Sequence, residues 1–215
     1  NFKWKIFFDS NKAFEYLKGI NSKKVLKPVD SSGSKGVLVY KKESEIEFND
    51  IKNAFEFSRC KQIIIEDFIE GKEYTIEVFY EKSNPYILAI TEKQKLRSSN
   101  FTIANKISTP NLEDLTIKKI KHHVFKAAKA LGYNSGIAHI EIIIGKSGTI
   151  NLVEFSARGG GFGLNHFFVE NVCGIDPTFL TLMDAQKKNV GVKKIQKRKA
   201  VIKYIPAKHG TIQKI

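Results

Sequence analysis

Two neighbouring β-type segments constrain the fold of this chain most strongly. Residues 136–145 (GIAHIEIIIG) and 149–157 (TINLVEFSA) are rich in Ile and Val, and Ser147-Gly148 lies between them. Runs of this kind separated by a short Gly-containing stretch are typical of a β-hairpin. The chain should therefore contain an antiparallel sheet that includes this hairpin.

A two-residue turn at Ser147-Gly148 would fix which side chains of the hairpin face each other. It predicts three opposed pairs: His139 with Ser156, Glu141 with Glu154, and Ile143 with Leu152. Like charges directly opposite each other are destabilising, and Mg²⁺ commonly takes one or two carboxylates plus phosphate oxygens. The two glutamates therefore indicate a metal site, with a solvated sheet face that carries two unrelated acids as the alternative.

The other face of the hairpin is apolar and is expected to join the core. It carries Ile140, Ile142, Ile144, Val153 and Phe155.

Strand and helix patterns alternate along the first third of the chain, and strands dominate after Gly71. The predicted strands are 4–8, 24–28, 36–42, 62–69, 73–81, 86–93, 136–145, 149–157 and 200–207. Apolar spacing and end signals predict helices from Asp9 or Ser10 to Leu17, over 44–57, over 115–131, and after Asp176-Pro177. These elements predict an α+β fold with a smaller lobe over 1–69, a larger lobe over 70–190, and a closing segment over 191–215.

A Gly- and Ser-rich loop joins two of the early strands. It contains Ser32, Gly33, Ser34 and Gly36, and Lys27 lies at the end of the apolar strand before it. Exposed backbone N–H groups in such loops can bind phosphates, and an ammonium at the end of an apolar strand requires an anion. The loop is not a Walker A loop, because no helix with Lys-Ser/Thr follows; an ordinary hairpin loop is the alternative interpretation.

An apolar strand then runs into four acids around Gly71. These are Glu66, Asp67, Glu70 and Glu73. A purine site needs backbone donors and acceptors at an exposed strand edge, and a carboxylate can bind the ribose hydroxyls. Acids at a turn that simply face solvent are the alternative.

The charge balance bears on possible partners. Lys and Arg number 36 against 22 Asp and Glu, which gives a net charge of +14. The lysines are scattered, and the densest run, 193–199, lacks aromatic residues, so a Lys-rich surface is favoured over a nucleic-acid site. No apolar run approaches the roughly 20 residues of a membrane span, and Cys60 and Cys173 form no zinc or disulfide pattern. A cytoplasmic protein without nucleic-acid or membrane partners is expected.

Taken in order, three segments resemble the ATP-grasp superfamily. They are KPVDSSGSKGV, then IIIEDFIEGKEYTIEV, then HIEIII together with NLVEFSARGGG. The resemblance extends over about residues 4–207. It implies an ATP-grasp fold of two α+β lobes with the nucleotide between them, the second lobe being built on an antiparallel sheet.

The resemblance also implies roles for particular residues. Lys27 and the loop with Ser32, Gly33, Ser34 and Gly36 would bind the ATP phosphates. Glu66, Asp67, Phe68 and Ile69 would form the adenine-binding strand, Val25 and Ile143 would line the adenine pocket, and Glu73 would bind the ribose. Glu141 and Glu154 would bind Mg²⁺ or Mn²⁺, and Arg158 would steady the transferred phosphoryl group. Catalysis would rest on Arg158 and Lys27. Lys93, Lys95 and Arg97 are substrate candidates within residues 91–110.

The implied activity is ligation of a small carboxylate to an amine or thiol through an acyl-phosphate.

Ser156 stands where the family commonly has Asn, which argues against a second Mg²⁺. Because the chain starts at Asn1, a preceding domain with a further phosphate-binding lysine is expected, and the chain alone should bind nucleotide weakly without turnover. A homodimer is among the assemblies that the resemblance allows. Alternatives are a non-catalytic nucleotide-binding or regulatory domain, a carbamoyl-phosphate synthase-like fragment, a kinase-like phosphotransferase and a basic nucleic-acid-binding module.

Overall fold

The computed structural model of the chain describes residues 3–41, 45–95, 104–192 and 195–205. The chain folds into two compact units: the described residues up to Ile69, together with Lys95, belong to the first, and Glu70–Gln94 with the described residues from Ala104 onward belong to the second. Each unit combines helices with an antiparallel sheet, so the predicted α+β class is confirmed.

The first unit contains a four-stranded antiparallel sheet with the strand order β1-β4-β2-β3. Its strands are β1 (Trp4–Phe7), β2 (Lys24–Pro28), β3 (Leu38–Tyr40) and β4 (Ile63–Asp67). Strand β3 is shorter than the predicted 36–42, because Gly36 adopts a left-handed backbone with φ of 74°. The N–H of Val37 then bonds to the carbonyl of Ser34 in a turn, at 3.3 Å.

Two helices cover one face of this sheet. Helix α1 (Ser10–Lys18) begins after Asp9, whose side chain accepts a hydrogen bond from the N–H of Lys12 at 2.9 Å, and α2 spans Phe48–Glu56. An N-terminal side chain of this type binds a helix N–H group that would otherwise lack a partner. The helices bury Leu26, Ile63 and Ile65 of the sheet. Alternation along the strands therefore directs Val25, Lys27 and Glu66 to the opposite face.

The second unit contains a six-stranded sheet with the order β10-β7-β6-β5-β8-β9. Its strands are β5 (Gly71–Glu81), β6 (Asn84–Lys95), β7 (Ala104–Ser108), β8 (Gly136–Gly145), β9 (Ile150–Ser156) and β10 (Val201–Lys203). Strand β7 was not predicted. Its sequence, ANKIS, gives only a weak strand pattern, and Ile107 is the one hydrophobic residue in it that is described as buried.

Helices cover both faces of the second sheet. Helix α3 (Asp114–Ala130) buries Ile120, Val124 and Ala128 against one face, close to the predicted limits of 115–131. The other face is covered over part of its length by a π-helical segment (Leu164–Val169), α4 (Glu170–Cys173) and α5 (Pro177–Ala185). Helix α5 begins after Asp176, as predicted, whereas the segment from Leu164 to Cys173 was not predicted. None of the helices in the described ranges is long and apolar enough to cross a membrane.

The β8–β9 hairpin confirms part of the predicted register and corrects the rest. Gly145 and Thr149 close a three-residue loop, with an N–H to carbonyl distance of 2.9 Å, so the predicted two-residue turn is wrong. That longer loop alone would place Glu141 opposite Val153. A β-bulge between Glu141 and Ile142 adds one residue to β9 and restores the predicted pairing of Glu141 with Glu154.

The bulge also determines the remaining pairs of the hairpin. His139 lies opposite Ser156, as predicted, but Ile143 lies opposite Asn151 and not opposite Leu152. Leu152 pairs with Ile142. The apolar face is confirmed for four of its five residues, because Ile140 and Ile142 are buried in the core against α3, with Ile144 and Phe155 packed around them. The fifth, Val153, is the extra residue of the bulge.

Candidate functional site

One face of the second sheet carries a group of ionisable side chains that we call the polar strip. It consists of Glu73, Glu77, Lys93, His139 and Glu141. The strands explain the grouping, because on β5 and β8 Glu77 lies opposite His139, and Thr75 lies opposite Glu141. Every second residue of adjacent strands shares a face, so these side chains converge.

Glu141 is the centre of the polar strip. Its Oε1 atom accepts hydrogen bonds from the Lys93 ammonium and from Nε2 of His139, the latter at 3.3 Å. Burial by itself would raise the pKa of Glu141, but the contacts with His139 and Lys93 outweigh it and lower the pKa to about 2. Glu141 is therefore a carboxylate at any physiological pH. No hydrogen bond to its other oxygen, Oε2, is found among the residues that the structure describes.

Lys93 and His139 supply the positive charge. The Lys93 ammonium also binds Oε1 of Glu73 at 2.9 Å, so one lysine joins two acids. Burial would lower the pKa of both cations, but the neighbouring carboxylates raise the pKa of Lys93 and raise that of His139 to about 9. At neutral pH both cations of the polar strip are thus charged, and each lies beside two of its three acids.

Glu154 lies directly opposite Glu141 and is exposed. Its Oε1 accepts a hydrogen bond from the hydroxyl of Ser156 at 2.5 Å. The described residues contain no cluster of three or more His, Cys, Asp or Glu suited to a metal ion. Two carboxylates nevertheless fit Mg²⁺, which usually binds few protein oxygens and completes its shell with phosphate and water.

Arg158 follows β9 and begins a glycine-rich turn. Its side chain is exposed, and its guanidinium donates to the carbonyl of Gly159 at 2.8 Å. The backbone N–H of Gly160 donates to Oε2 of Glu77 at 3.0 Å, which ties the turn to the polar strip.

The first unit carries its own ion pairs on strands β2 and β4. Lys27 Nζ lies 2.5 Å from Oε2 of Glu66, so Glu66 supplies the anion that this lysine requires. Lys24, which is buried, pairs with Asp67. The Lys24 hydrogen bond holds the pKa of Asp67 below its usual range, against the smaller opposing effect of burial.

Other predicted nucleotide-binding residues of the first unit lie on or beside these strands. Val25 is opposite Glu66. The N–H of Phe68 donates to the carbonyl of Lys23 at 3.0 Å, and the Lys23 ammonium lies 3.4 Å from the centre of the Phe68 ring. Ile69 ends the N-terminal segment of this unit.

The Gly- and Ser-rich loop is exposed at its centre and anchored at both ends. Gly33, Ser34 and Gly36 have φ values of 65°, 59° and 74°, in the left-handed region. Before the loop, Asp30 accepts hydrogen bonds from the hydroxyl of Ser58 and from the N–H groups of residues 59 and 60, at 2.7, 3.1 and 3.1 Å. Ser32 and Ser34 are exposed, so the loop presents polar groups on a fixed base.

The second unit brings several of the predicted site residues together. Glu73 lies opposite Ile143, next to the Glu141–Glu154 pair. Arg97 and the side chain of Lys95 lie outside the described residues. Glu77 was missed by the sequence reasoning, and His139 was given no role in the site. An acid within the apolar run EYTIEVFY and a histidine two residues before Glu141 were the available signals.

Comparison with known proteins identifies the family. Residues 20–166 match the ATP-grasp domain. This match covers more than half of the chain, so the chain belongs to the ATP-grasp family, and the predicted resemblance is confirmed.

Three relatives illustrate this membership. The phosphoribosylamine–glycine ligase of Fusobacterium nucleatum is 27% identical over 172 residues, covering 74% of this chain and 40% of its own length. The L-amino acid ligase of Bacillus licheniformis superposes with a TM-score of 0.79 at 28% identity, over 98% of this chain and 51% of that structure. The biotin carboxylase domain of Hydrogenobacter thermophilus 2-oxoglutarate carboxylase, solved with MgADP and bicarbonate, shares the fold with a TM-score of 0.68 at 19% identity, over 90% of this chain and 43% of that structure. The chain spans about half the length of these relatives or less.

Proposed function

We propose that this chain is the Mg-ATP-binding part of an ATP-dependent ligase that joins a small carboxylate to an amine through an acyl-phosphate. The apposition of Glu141 and Glu154 on β8 and β9 carries this proposal. Membership of the ATP-grasp family supports nucleotide binding. Two of the relatives are carboxylate–amine ligases by name, which supports ligation over transfer of phosphate alone.

Glu141 and Glu154 would hold Mg²⁺, and the bound ion would neutralise charge on the ATP phosphates. The low pKa of Glu141 keeps it a ligand-ready carboxylate, and the exposure of Glu154 leaves it accessible. Ser156 donates its hydroxyl hydrogen to Glu154. This contact supports a single metal site, because a hydroxyl engaged as a donor to the ligand is a poor substitute for an amide carbonyl ligand.

Lys27, with Ser32, Gly33, Ser34 and Gly36, would bind the phosphates through charge and exposed N–H groups. Val25, Ile143 and residues 66–69 would bind adenine, and Glu73 would bind the ribose.

In the first chemical step an oxygen of the substrate carboxylate attacks the γ-phosphorus and ADP leaves. In the second step the amine nitrogen attacks the acyl carbon and phosphate leaves. Arg158 would stabilise the negative charge that develops on the transferred group.

Lys93 would contribute to the substrate side of the site. Its ammonium is already shared by Glu73 and Glu141, and it lies at the end of β6 before the stretch expected to bind substrate. A substrate carboxylate would bind the Lys93 ammonium by displacing one of these two glutamates.

The decisive experiment is calorimetric titration of the chain with a non-hydrolysable ATP analogue, with Mg²⁺ and with EDTA. Affinity should rise at least about tenfold with Mg²⁺, and Glu154→Gln and Glu141→Gln should abolish this increase. Glu113→Gln, which changes an exposed acid at the start of α3, is the matched control and should behave like wild type. A phosphate-release screen over carboxylates and amines then tests ligation.

Three results would separate the alternatives. Nucleotide binding that is indifferent to Mg²⁺ would favour a non-catalytic nucleotide-binding domain. Stabilisation by single-stranded nucleic acid but not by ATP would favour the basic module. Formation of ADP with a carboxylate, without phosphate release and without dependence on an amine, would favour a phosphotransferase.

A further inference from the structure

We propose that Glu77 is a positioning residue that sets the geometry of both Glu141 and the glycine-rich turn after Arg158. The inference rests on the proposed function of those two elements and adds a residue that contacts neither nucleotide nor metal. Glu77 lies in the middle of β5, and its side chain has no exposed surface. Each of its two oxygens is bound to a different part of the site.

Each of these two sets of contacts is called a branch, and the first branch runs from Oε1 of Glu77 through His139. Oε1 of Glu77 binds Nδ1 of His139, and Nε2 of the same ring lies 3.3 Å from Oε1 of Glu141. A histidine held by an acid on one nitrogen has a fixed ring orientation on the other. Glu77 therefore determines where the His139 ring meets Glu141. Partners of ligands commonly affect metal affinity about 10- to 100-fold.

The second branch runs to the turn. Oε2 of Glu77 accepts the hydrogen bond from the N–H of Gly160. A Cβ atom on Gly160 would lie 2.5 Å from Oε1 of Glu77 and 2.9 Å from Nδ1 of His139, both far inside van der Waals contact. The turn therefore approaches the Glu77–His139 pair as closely as only glycine allows. Arg158 is two residues away, so displacement of Gly160 would move the base of the Arg158 turn.

Stability alone does not account for a carboxylate at this place. Burying a charged pair seldom stabilises a protein more than well-packed apolar residues would. The same face of the sheet continues into an apolar cluster with Phe79 and Ile137, which are two residues from Glu77 on β5 and two residues from His139 on β8. A hydrophobic residue would therefore suit position 77 for packing, whereas both of the acid's bonds lead to predicted site elements.

Three variants separate positioning from folding. Glu77→Leu removes both branches, and Gly160→Ala displaces the turn while keeping the acid. Glu77→Gln is the conservative variant, because its amide oxygen can still accept a hydrogen bond from Nδ1–H of His139 and so keep the ring directed at Glu141. Tyr80→Phe is the control, since it removes a buried hydrogen bond of 2.9 Å to the carbonyl of Val124 from the opposite face of β5.

Two readouts are needed besides the melting temperature. Mn²⁺ binding in the presence of saturating ADP, measured by electron paramagnetic resonance, reports on Glu141. Hydrogen exchange of the peptide that spans residues 157–164, measured on the protein without nucleotide, reports on the turn. We expect Glu77→Leu to weaken Mn²⁺ binding at least about tenfold, in the range typical of ligand-orienting partners, and to speed exchange.

Gly160→Ala should speed exchange in the same peptide, and Glu77→Gln should stay within about threefold of wild type in Mn²⁺ affinity, less than the effect of losing an orienting partner. Tyr80→Phe should lower the melting temperature without changing either readout. The proposal is overturned if Glu77→Leu lowers the melting temperature but leaves Mn²⁺ affinity and exchange at wild-type values. If Glu77→Leu does not fold, Gly160→Ala decides, because unchanged exchange and unchanged Mn²⁺ affinity in that variant contradict the proposal.

Failure of the proposed function would look different. Wild-type protein that binds no Mn-ADP at all would remove the metal site. The exchange measurement would then still decide whether Glu77 and Gly160 fix the turn, since it uses no nucleotide. Slow exchange in wild type together with fast exchange in Glu77→Leu would retain that part of the inference.

Discussion

The two units hold their predicted site residues by different means. In the first unit, Lys27 and Glu66 form an ion pair whose side chains keep 23% and 17% of their surface exposed. In the second unit, Lys93, Glu73, Glu141, His139 and Glu77 form one continuous network, and Glu77 has no exposed surface. Breaking an isolated ion pair removes only the interaction between its two members. A buried network couples its members, because removing one charge leaves several others uncompensated.

The two glycine-containing loops differ in the same sense. Asp30 and the packing of Gly36 hold the ends of the first-unit loop, whereas a Cβ atom added at Gly33, in its centre, would meet nothing within 4 Å. The second-unit turn is bound at Gly160 by a buried acid. We infer that the first loop can change conformation readily while the second stays fixed to the sheet.

The largest expected effect is on Lys93. Lys93→Met should destabilise the protein by about 4 kcal/mol, because it leaves Glu73 and Glu141 without their shared cation in a buried setting. Urea unfolding followed by far-ultraviolet circular dichroism measures this loss. Lys72→Met is the matched control, since Lys72 pairs with Glu92 on the same two strands but is exposed, and it should cause no measurable loss. Equal losses for both variants would mean that burial does not distinguish the network from surface pairs.

The next effect concerns the loop of the first unit. Gly36→Ala should cost about 2 kcal/mol, because alanine is strained at a φ of 74° and its Cβ would lie 2.8 Å from Pro28 and 2.9 Å from Phe57. Gly33→Ala adds a Cβ at a similar φ of 65° in open space and should cost only about 1 kcal/mol. Fluorescence of Trp4, the single tryptophan, can follow unfolding of this unit. A loss for Gly33→Ala as large as that for Gly36→Ala would show that packing at Pro28 and Phe57 does not anchor the loop.

The smallest effect is the pH dependence of the Lys24–Asp67 pair. The pKa of Asp67 is lower in the folded protein, chiefly through the Lys24 hydrogen bond, so its stabilising contribution is present above the ordinary pKa of 3.8. That contribution is lost as the pH falls from 3.8 through the lower folded value. Asp67→Asn should therefore be less stable than wild type at pH 6, and the difference should shrink as the pH approaches 2. Trp4 fluorescence during urea unfolding at several pH values tests this, and a difference independent of pH would contradict it.

Much of the fold could be predicted from local sequence. Strand β2, strand β8 and the start of α5 at Asp176-Pro177 follow their patterns closely, because apolar periodicity and helix-end residues are local properties. Strand β7 and the segment from Leu164 to Cys173 were missed. Their residues become strand or helix through neighbours that are distant in the chain, such as the pairing of β7 with β10.

The predicted site also combines features that the local sequence predicts with features that depend on distant residues. The pairing of Glu141 with Glu154 was predicted from a two-residue turn, but the structure reaches it through a three-residue loop and a compensating bulge. A bulge depends on the packing of the whole sheet, which no local pattern encodes. The three-residue loop and the bulge together explain why the predicted pair Glu141–Glu154 is correct and the predicted pair Ile143–Leu152 is wrong.

By itself the sequence determined the residue types of the site and their order: Lys27 before a glycine loop, acids around Gly71, and two glutamates before Arg158. It determined these because strand alternation and turn residues are fixed by local sterics. Only the tertiary structure decided that Lys93 joins Glu73 to Glu141, and that Glu77 and His139 tie Glu141 to the turn at Gly160. Apart from the contact between His139 and Glu141, those contacts join residues 20 to 83 positions apart, and the order of strands in the sheet brings them together.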